Sequence, residues 1–180
     1  MGTIQGPRAG LPTNRNFLAQ NGFQFIISRF PNVMYYMQKF TVPAITLGTV
    51  EVPNPFSNLP LAGDHIDWGD LSIEFIVDED MQNYGELYNW IIDLGLPDSF
   101  ALANTVYSPQ AIQQGNGPST TGTLIVLNSS LQENIKFDFV DIFPIGMTSI
   151  QMSLTDNDIV YKTCIASFNY RRFYLKRPNA

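Results

Sequence analysis

The chain has 180 residues, a formal net charge of −6 and 14% charged residues, against roughly 25% in an ordinary soluble domain. Its 44% apolar residues can form one sizeable core, which excludes a disordered chain, and 15 asparagines and 10 glutamines replace the missing charges. No run approaches the ~18 consecutive apolar residues of a membrane helix, so we expect no membrane contact, and residues 1–16 lack the apolar stretch of a signal peptide, so we expect none. The length predicts a single domain, and residues 1–20, rich in Gly, Pro and Asn and without periodicity, predict an N-terminal arm before a domain at residues 21–180.

The charges are sorted along the chain. Residues 1–39 carry four basic and no acidic side chains, residues 40–135 carry twelve acidic side chains and no Lys or Arg, and residues 159–180 carry five basic and no acidic ones. Basic ends near an acidic surface of the same molecule would form pairs that contribute little. Alternatively, an acidic face of one copy meets a basic face of the next, as in head-to-tail assemblies. The negative net charge disfavours nucleic-acid binding.

The first predicted elements are β-strands. Residues 23–29 and 33–40 are rich in β-forming side chains and flank a Pro-Asn turn, which predicts a β-hairpin. Residues 44–52 alternate at period two and predict another strand. Residues 52–64 contain three prolines, which exclude a central strand, so we expect a long loop that offers a contact surface.

A strand with two unlike sides is predicted at residues 68–77. Asp70 and Glu74 lie on its wet, acidic side. The opposite side is apolar and is predicted to face the core: Leu71, Ile73, Phe75 and Val77.

One helix is predicted at residues 81–94, with Asp78 or Asp80 as its N-terminal cap and a Gly and Pro stop signal behind it. Its apolar stripe is expected to pack on the sheet: Met81, Tyr84, Leu87, Tyr88, Ile91 and Leu94. The same packing is predicted for Trp90.

The second half of the chain begins with a polar, Gly-rich insert predicted at residues 104–122. Strands are predicted at residues 123–128 and 134–143, followed by one long strand, straight or bent, at residues 159–175. The elements together predict a mainly antiparallel β-sheet or β-sandwich with one α-helix packed on it.

Few residues offer catalytic chemistry. The only histidine, His65, lies beside Asp64 and Asp67, and this cluster leaves open a small metal-dependent hydrolase. Three such residues near a glycine more often shape a turn. Cys164 falls within a strand pattern, which predicts a buried, inert thiol. We therefore expect no catalytic residue, no metal and no cofactor.

Two blocks of sequence stand out by the order and spacing of their motifs. Residues 62–97 join a Gly, Asp and Trp turn, an L-x-I-x-F strand, an acidic helix start and a helix bearing Tyr and Trp: AGDHIDWGDLSIEFIVDEDMQNYGELYNWIIDLGLP. Residues 137–175 join a strand, a turn with Pro and Gly, and an aromatic-rich last strand: FDFVDIFPIGMTSIQMSLTDNDIVYKTCIASFNYRRFYL. Together they resemble the tail tube protein family of contractile-tailed bacteriophages.

That resemblance implies a structural protein rather than an enzyme, with each subunit an antiparallel β-sandwich or β-barrel and one flanking α-helix. Six copies would form a ring-shaped homo-oligomer whose inner strands join into one β-barrel, and the rings would stack head to tail into a hollow tube inside a contractile sheath. Double-stranded DNA would pass through the tube during ejection without specific binding. The implied partners are the sheath, baseplate and tape measure proteins, and the implied location is the virion tail, assembled in the host cytoplasm. The alternative within this fold is a ring adaptor at the baseplate or head-proximal end.

Site residues follow from these expectations. A lumen that passes DNA should repel phosphate, which makes Asp70 and Glu74 candidates for its lining. Inter-ring contacts are expected from the segment at residues 52–64 and from the basic ends of the chain. The candidates are Arg8, Arg15, Phe56, Leu59, Arg171, Arg172, Lys176 and Arg177.

Overall fold

The computed structural model describes residues 22–27, 29, 33, 35–95, 106–113, 117–153 and 161–177. Within these ranges the chain forms mainly antiparallel β-structure with one long helix, which confirms the predicted fold class. The strands are β1 (Phe23–Ile27), β2 (Met37–Thr41), β3 (Ile45–Pro53), β4 (Asn58–Trp68), β5 (Leu71–Ile76), β6 (Thr120–Leu127), β7 (Glu133–Met147), β8 (Thr163–Asn169) and β9 (Arg172–Lys176). The helices are α1 (Gln82–Gly95) and the short α2 (Pro109–Gln113).

Two sheets share the long strand β7. The first half of β7 lies between β6 and β9, and β1 pairs with the far side of β6. The second half of β7 pairs with β8, followed by β5 and β2. The two ends of this path approach each other across the core, because the rings of Phe25 in β1 and Phe40 in β2 lie 5.2 Å apart.

The change of sheet occurs at a bend in β7. Asp141 has a φ of 57°, a left-handed conformation that aspartate tolerates better than most residues. At the same level the partner strand is interrupted, because Tyr170 and Arg171 separate β8 from β9. The long strand predicted at residues 159–175 is therefore two strands, since one straight strand could not follow both halves of the bent β7. Residues 159 and 160 lie outside the described ranges.

The hairpin predicted from residues 23–29 and 33–40 is wrong. Both segments contain a strand, but β1 pairs with β6 and β2 pairs with β5. The sequence pattern identified extended segments but not their partners. Sheet formation places the two strands in different layers, so they meet through side chains rather than through backbone hydrogen bonds.

Strand β5 supplies the centre of the core. Leu71, Ile73 and Phe75 are fully buried, as their alternation predicts. The predicted beginning of this strand at residue 68 is wrong, because Trp68 ends β4 and Asp70 lies in the connection to β5. Asp70 and Glu74 therefore do not share one strand.

Helix α1 covers this core. Asp78 caps it, as one of the two predicted alternatives, because its Oδ1 accepts a hydrogen bond from the Asn83 backbone N–H at 3.3 Å. The buried residues are Asn83, Leu87 and Trp90, so the predicted stripe is displaced towards a side that includes a polar residue. Tyr84 packs against the core as predicted, whereas Tyr88 is half exposed.

The predicted polar insert at residues 104–122 is shorter than expected. Within it, residues 109–113 form α2, and Thr120 already begins β6. The N-terminal arm predicted at residues 1–20, including Arg8 and Arg15, lies outside the described ranges.

Candidate assembly surface

The segment predicted as a long loop at residues 52–64 is part of a β-hairpin. Among the strands that the structure describes, β3 and β4 pair only with each other, in a two-stranded sheet. The loop prediction failed because each strand of such a sheet has one free edge, and proline is tolerated where its missing N–H would have pointed outwards. Pro53 pairs with Asn58 and Pro60 pairs with Glu51, both close to the tip.

This hairpin leaves an unusual amount of apolar surface in solvent. Phe56 at its tip is 95% exposed. Along the two strands, apolar side chains with 42–57% of their surface exposed are Ile45, Leu47, Val50, Val52, Leu59, Leu61 and Ile66. The predicted contact residues Phe56 and Leu59 thus lie in an exposed apolar element, and their role in inter-ring contact remains a prediction.

A bulge divides the hairpin into a half near the domain and a half near the tip. Leu47 pairs with Ile66 and Thr49 pairs with Ala62, so Gly48 faces three residues of β4. The backbones are in close contact here, because a Cβ added to Gly63 would lie 2.5 Å from the Gly48 carbonyl oxygen. Only glycine at position 63 permits this approach.

The root of the hairpin is fixed to the domain. The Trp68 and Phe173 rings make an edge contact with centroids 5.0 Å apart. The Tyr170 hydroxyl donates a hydrogen bond to the Gly69 carbonyl at 2.8 Å, and the Gly69 N–H donates to the Ala44 carbonyl at 2.9 Å. Burial, followed by the nearby charge of Asp70, raises the pKa of Tyr170 to about 12. The sequence analysis did not identify this anchor.

The carboxylates of the hairpin are exposed. Glu51 accepts a hydrogen bond from the Asn58 side chain at 3.0 Å. Asp64, His65 and Asp67 lie on β4 with exposed side chains, and residues 64 and 65 are adjacent in a strand, which directs them to opposite sides. Within the described ranges, no group of three or more His, Cys, Asp or Glu residues is arranged to hold a metal ion.

The basic candidates of the C-terminal strand differ in their surroundings. Lys176 forms an ion pair with Asp138 at 2.7 Å, and this hydrogen bond is the main cause that lowers the pKa of Asp138. Arg171 lies 3.8 Å from Asp141. The Arg172 guanidinium lies 4.9 Å from the centre of the Tyr174 ring, and Arg177 is exposed.

Ion pairs within the chain therefore engage two of the four basic candidates at this end. Among the residues that the structure describes, no carboxylate forms a salt bridge with Arg172 or Arg177.

The predicted lumen residues occupy different places. Asp70 is exposed in the short connection before β5. Glu74 is half buried within β5 and is paired with Lys39 on one side and Ile165 on the other. Their position in a lumen remains a prediction.

Cys164 lies in β8 and is fully buried, as predicted. Burial raises the pKa of its thiol, which favours the unreactive protonated form.

Comparison of the sequence with models of known protein families identifies the family of this chain. The family model described as phage tail tube protein matches residues 7–176, nearly the whole chain. The chain belongs to the phage tail tube protein family. No curated protein matches it.

The chain is also similar to solved structures. The tube-terminating cap of the anti-feeding prophage has a TM-score of 0.64 and 12% identity, over 95% of this chain and 98% of that one. The extracellular contractile injection system PVC, in its sheath-tube complex, gives a TM-score of 0.62 and 13% identity, over 91% and 93%. The sheath/tube terminator of the same system has a TM-score of 0.61 and 14% identity, over 89% of this chain and 97% of that one. At these identities the similarity establishes a common fold.

Family membership decides between the structural and enzymatic hypotheses. The tail tube chain is a structural component of a phage-type tail and not an enzyme. Among its described helices, none has the length and apolarity needed to cross a membrane.

Proposed function

We propose that six copies of this chain form a ring, and that rings stack head to tail into a hollow tube inside a contractile sheath. The tube conducts double-stranded DNA during ejection and is joined to sheath, baseplate and tape measure proteins in the virion tail. Family membership supports the tube role, and the fold shared with a sheath-tube complex supports the contractile setting.

The exposed hairpin β3–β4 is the observation that carries this proposal. A two-stranded hairpin is at best marginally stable alone in water. Its apolar side chains are about half exposed, so each forgoes roughly 1 kcal/mol of burial energy in the isolated chain. Contact with a neighbouring copy recovers that energy and holds the hairpin in place.

Charge complementarity gives this contact a direction. The hairpin carries Glu51, Asp64 and Asp67 and no Lys or Arg, whereas residues 171–177 are basic without any acidic residue. An acidic hairpin of one copy and a basic terminal strand of another attract each other, and a head-to-tail stack repeats that contact at every level. Asp70 and Glu74 would line the lumen, where carboxylates repel the phosphates of passing DNA.

Negative-stain electron microscopy of the purified full-length chain tests the proposal. We expect hollow tubes or six-membered rings, and compact monomers at high protein concentration would contradict it. Single rings that never stack would instead favour the ring adaptor at one end of a tube.

Charge reversal tests the polar contact separately. Arg172→Glu together with Arg177→Glu should weaken stacking, and low salt should not restore it. Asp64→Lys with Asp67→Lys should do the same, and combining all four changes should recover part of the assembly. Lys162→Glu is a matched basic-to-acidic control outside residues 171–177, for which we expect normal tubes.

A further inference from the structure

The apolar residues of the hairpin change sides at its bulge. Residues opposite each other in an antiparallel ladder lie on the same side, and neighbours along a strand lie on opposite sides. Near the domain, Ile45 is opposite Trp68 and Leu47 is opposite Ile66. These four residues form the inner patch.

Beyond the bulge, the apolar pairs are Val50 with Leu61 and Val52 with Leu59. These four residues form the outer patch. On β3 the inner patch contains residues 45 and 47, and the outer patch contains residues 50 and 52. Leu47 and Val50 are three positions apart, an odd number, so their side chains lie on opposite sides of the strand. The bulge adds two residues to β4, an even number, so the pairs Leu47–Ile66 and Thr49–Ala62 on either side of it lie on the same side of the hairpin. The two patches therefore lie on opposite sides of the hairpin.

The polar residues follow the reverse pattern. Glu51 and Asn58, joined by a hydrogen bond of 3.0 Å, lie near the tip on the side of the inner patch. Asp67 and Thr46, which are paired with each other, lie near the root on the side of the outer patch. Each side of the hairpin is thus half apolar and half polar, in opposite order.

Trp68 of the inner patch packs against Phe173, and the other seven residues of the two patches are about half exposed in the single chain. The strand residues of the outer patch are 42–57% exposed, and Ile45, Leu47 and Ile66 of the inner patch are 47–54% exposed. One flat partner surface could cover only one side of the hairpin. Covering both sides requires a partner on each side.

We infer that the hairpin is inserted between two other copies of the same chain, one covering the inner patch and the other the outer patch. This inference rests on the proposed ring and stack. A second copy is the fitting occupant because the chain supplies both members of the charge pair, the acidic hairpin and the basic residues 171–177. Each hairpin then links three chains, and ring formation and stacking depend on the same element.

Photo-cross-linking in assembled particles tests this arrangement. A benzophenone-bearing amino acid is placed at Leu47 or at Leu61, and the linked peptides are identified by mass spectrometry. We expect the two positions to link to different segments of neighbouring chains. Links from both positions to the same segment, or only links within one chain, would overturn the inference.

Thr49 and Val50 form a matched pair for the same experiment. They are adjacent in sequence and differ by only one residue in their distance from the tip, but they lie on opposite sides of the hairpin. Probes at these positions should link to different segments as well. A common set of linked peptides would show that one partner surface surrounds the hairpin, which contradicts a separate copy on each side.

Serine variants supply a second measurement. Leu47→Ser with Ile66→Ser changes the inner patch, and Val50→Ser with Leu61→Ser changes the outer patch. Each pair should abolish tubes while the thermal midpoint of the monomer stays within a few degrees, because the hairpin lies outside the core. If one pair leaves tubes intact, that patch has no partner and the inference fails. Absence of rings in the unmodified chain would contradict the proposed function itself.

Discussion

Tyr170 and Gly69 are 101 residues apart in sequence, and the Tyr170 hydroxyl donates a hydrogen bond of 2.8 Å to the Gly69 carbonyl. Tyr170 lies in the break between β8 and β9, and Gly69 lies where the hairpin returns to β5. This bond therefore joins the bend of the two sheets to the root of the hairpin. A rigid root fixes the direction in which the hairpin leaves the domain.

Removal of the Tyr170 hydroxyl tests this link. Tyr170→Phe keeps the ring in the core but leaves the Gly69 carbonyl without its donor, so we expect the free energy of unfolding to fall by about 1–2 kcal/mol. Chemical denaturation of the monomer measures the loss. Tyr174→Phe is the control, because Tyr174 is 43% exposed and should lose little.

The raised pKa of Tyr170 predicts a response to alkali. The folded pKa is about 12 against 10.0 for an ordinary tyrosine, so the neutral hydroxyl contributes stability below pH 10. That contribution is lost as the pH rises through about 12. The unmodified chain should lose stability more steeply than Tyr170→Phe over this window, in thermal unfolding recorded at several pH values. Equal slopes would show that Tyr170 is not the responsible group.

Asn83 is a second buried polar group with a defined task. Its Nδ2 donates to the Ile76 carbonyl at 2.8 Å, and its Oδ1 accepts from the Tyr84 N–H at 2.7 Å. Asn83→Ala leaves these groups unpaired inside the protein and should cost about 3 kcal/mol in the free energy of unfolding. Asn89→Ala, an exposed position on the same helix, should be neutral or slightly stabilising. A similar small effect at both positions would contradict a role for Asn83 in fixing α1.

These residues show why the sequence predicted one part of the fold and not another. The alternation of Leu71, Ile73 and Phe75 predicted a half-buried strand because one side of β5 faces the core. Asn83 gave no such signal, because a buried polar residue on a helix has the same appearance in sequence as an exposed one. The break at Tyr170 was missed because its residues are good strand formers and include neither Gly nor Pro.

The position of the candidate surface in the chain was predicted, but its structure as a β-hairpin was not. Exposed Phe56 and Leu59 were expected from a proline-rich segment, and the structure places both in the hairpin. The first strand of the hairpin was predicted at residues 44–52, but its partner was missed because the three prolines of residues 52–64 exclude a central strand and not a strand with a free edge. Strand partners also depend on long-range contacts, which is why the pairing of β1 with β6 was not predicted.

The ion pair between Lys176 and Asp138 predicts a response to acid. The lowered pKa of Asp138 means that its carboxylate stabilises the fold above the ordinary pKa, and this contribution is lost as the pH falls through the lowered value. Lys176→Met should raise the pKa of Asp138, measured by NMR of its carboxyl carbon. The Thr123 hydroxyl still donates to Asp138 at 3.0 Å and should keep part of the shift.

Arg177→Gln is the control for that titration, because Arg177 makes no ion pair with a described carboxylate. It removes one positive charge close to Lys176 without touching the hydrogen bond. An equal change of the Asp138 pKa in both variants would mean that the number of nearby positive charges, rather than the direct contact with Lys176, lowers this pKa.

Gly63 offers a test of the hairpin that leaves the core untouched. A Cβ at this position would lie 2.5 Å from the Gly48 carbonyl oxygen and 2.9 Å from its carbon, so Gly63→Ala must push the two strands apart at the bulge. We expect faster amide exchange in β3 and β4 and loss of tubes under the electron microscope, with an almost unchanged thermal midpoint of the monomer. Gly85→Ala is the matched control, since a Cβ there meets nothing within 4 Å and should stabilise α1 by about 0.5–1 kcal/mol. Normal tubes from Gly63→Ala would show that assembly does not depend on the geometry of the bulge.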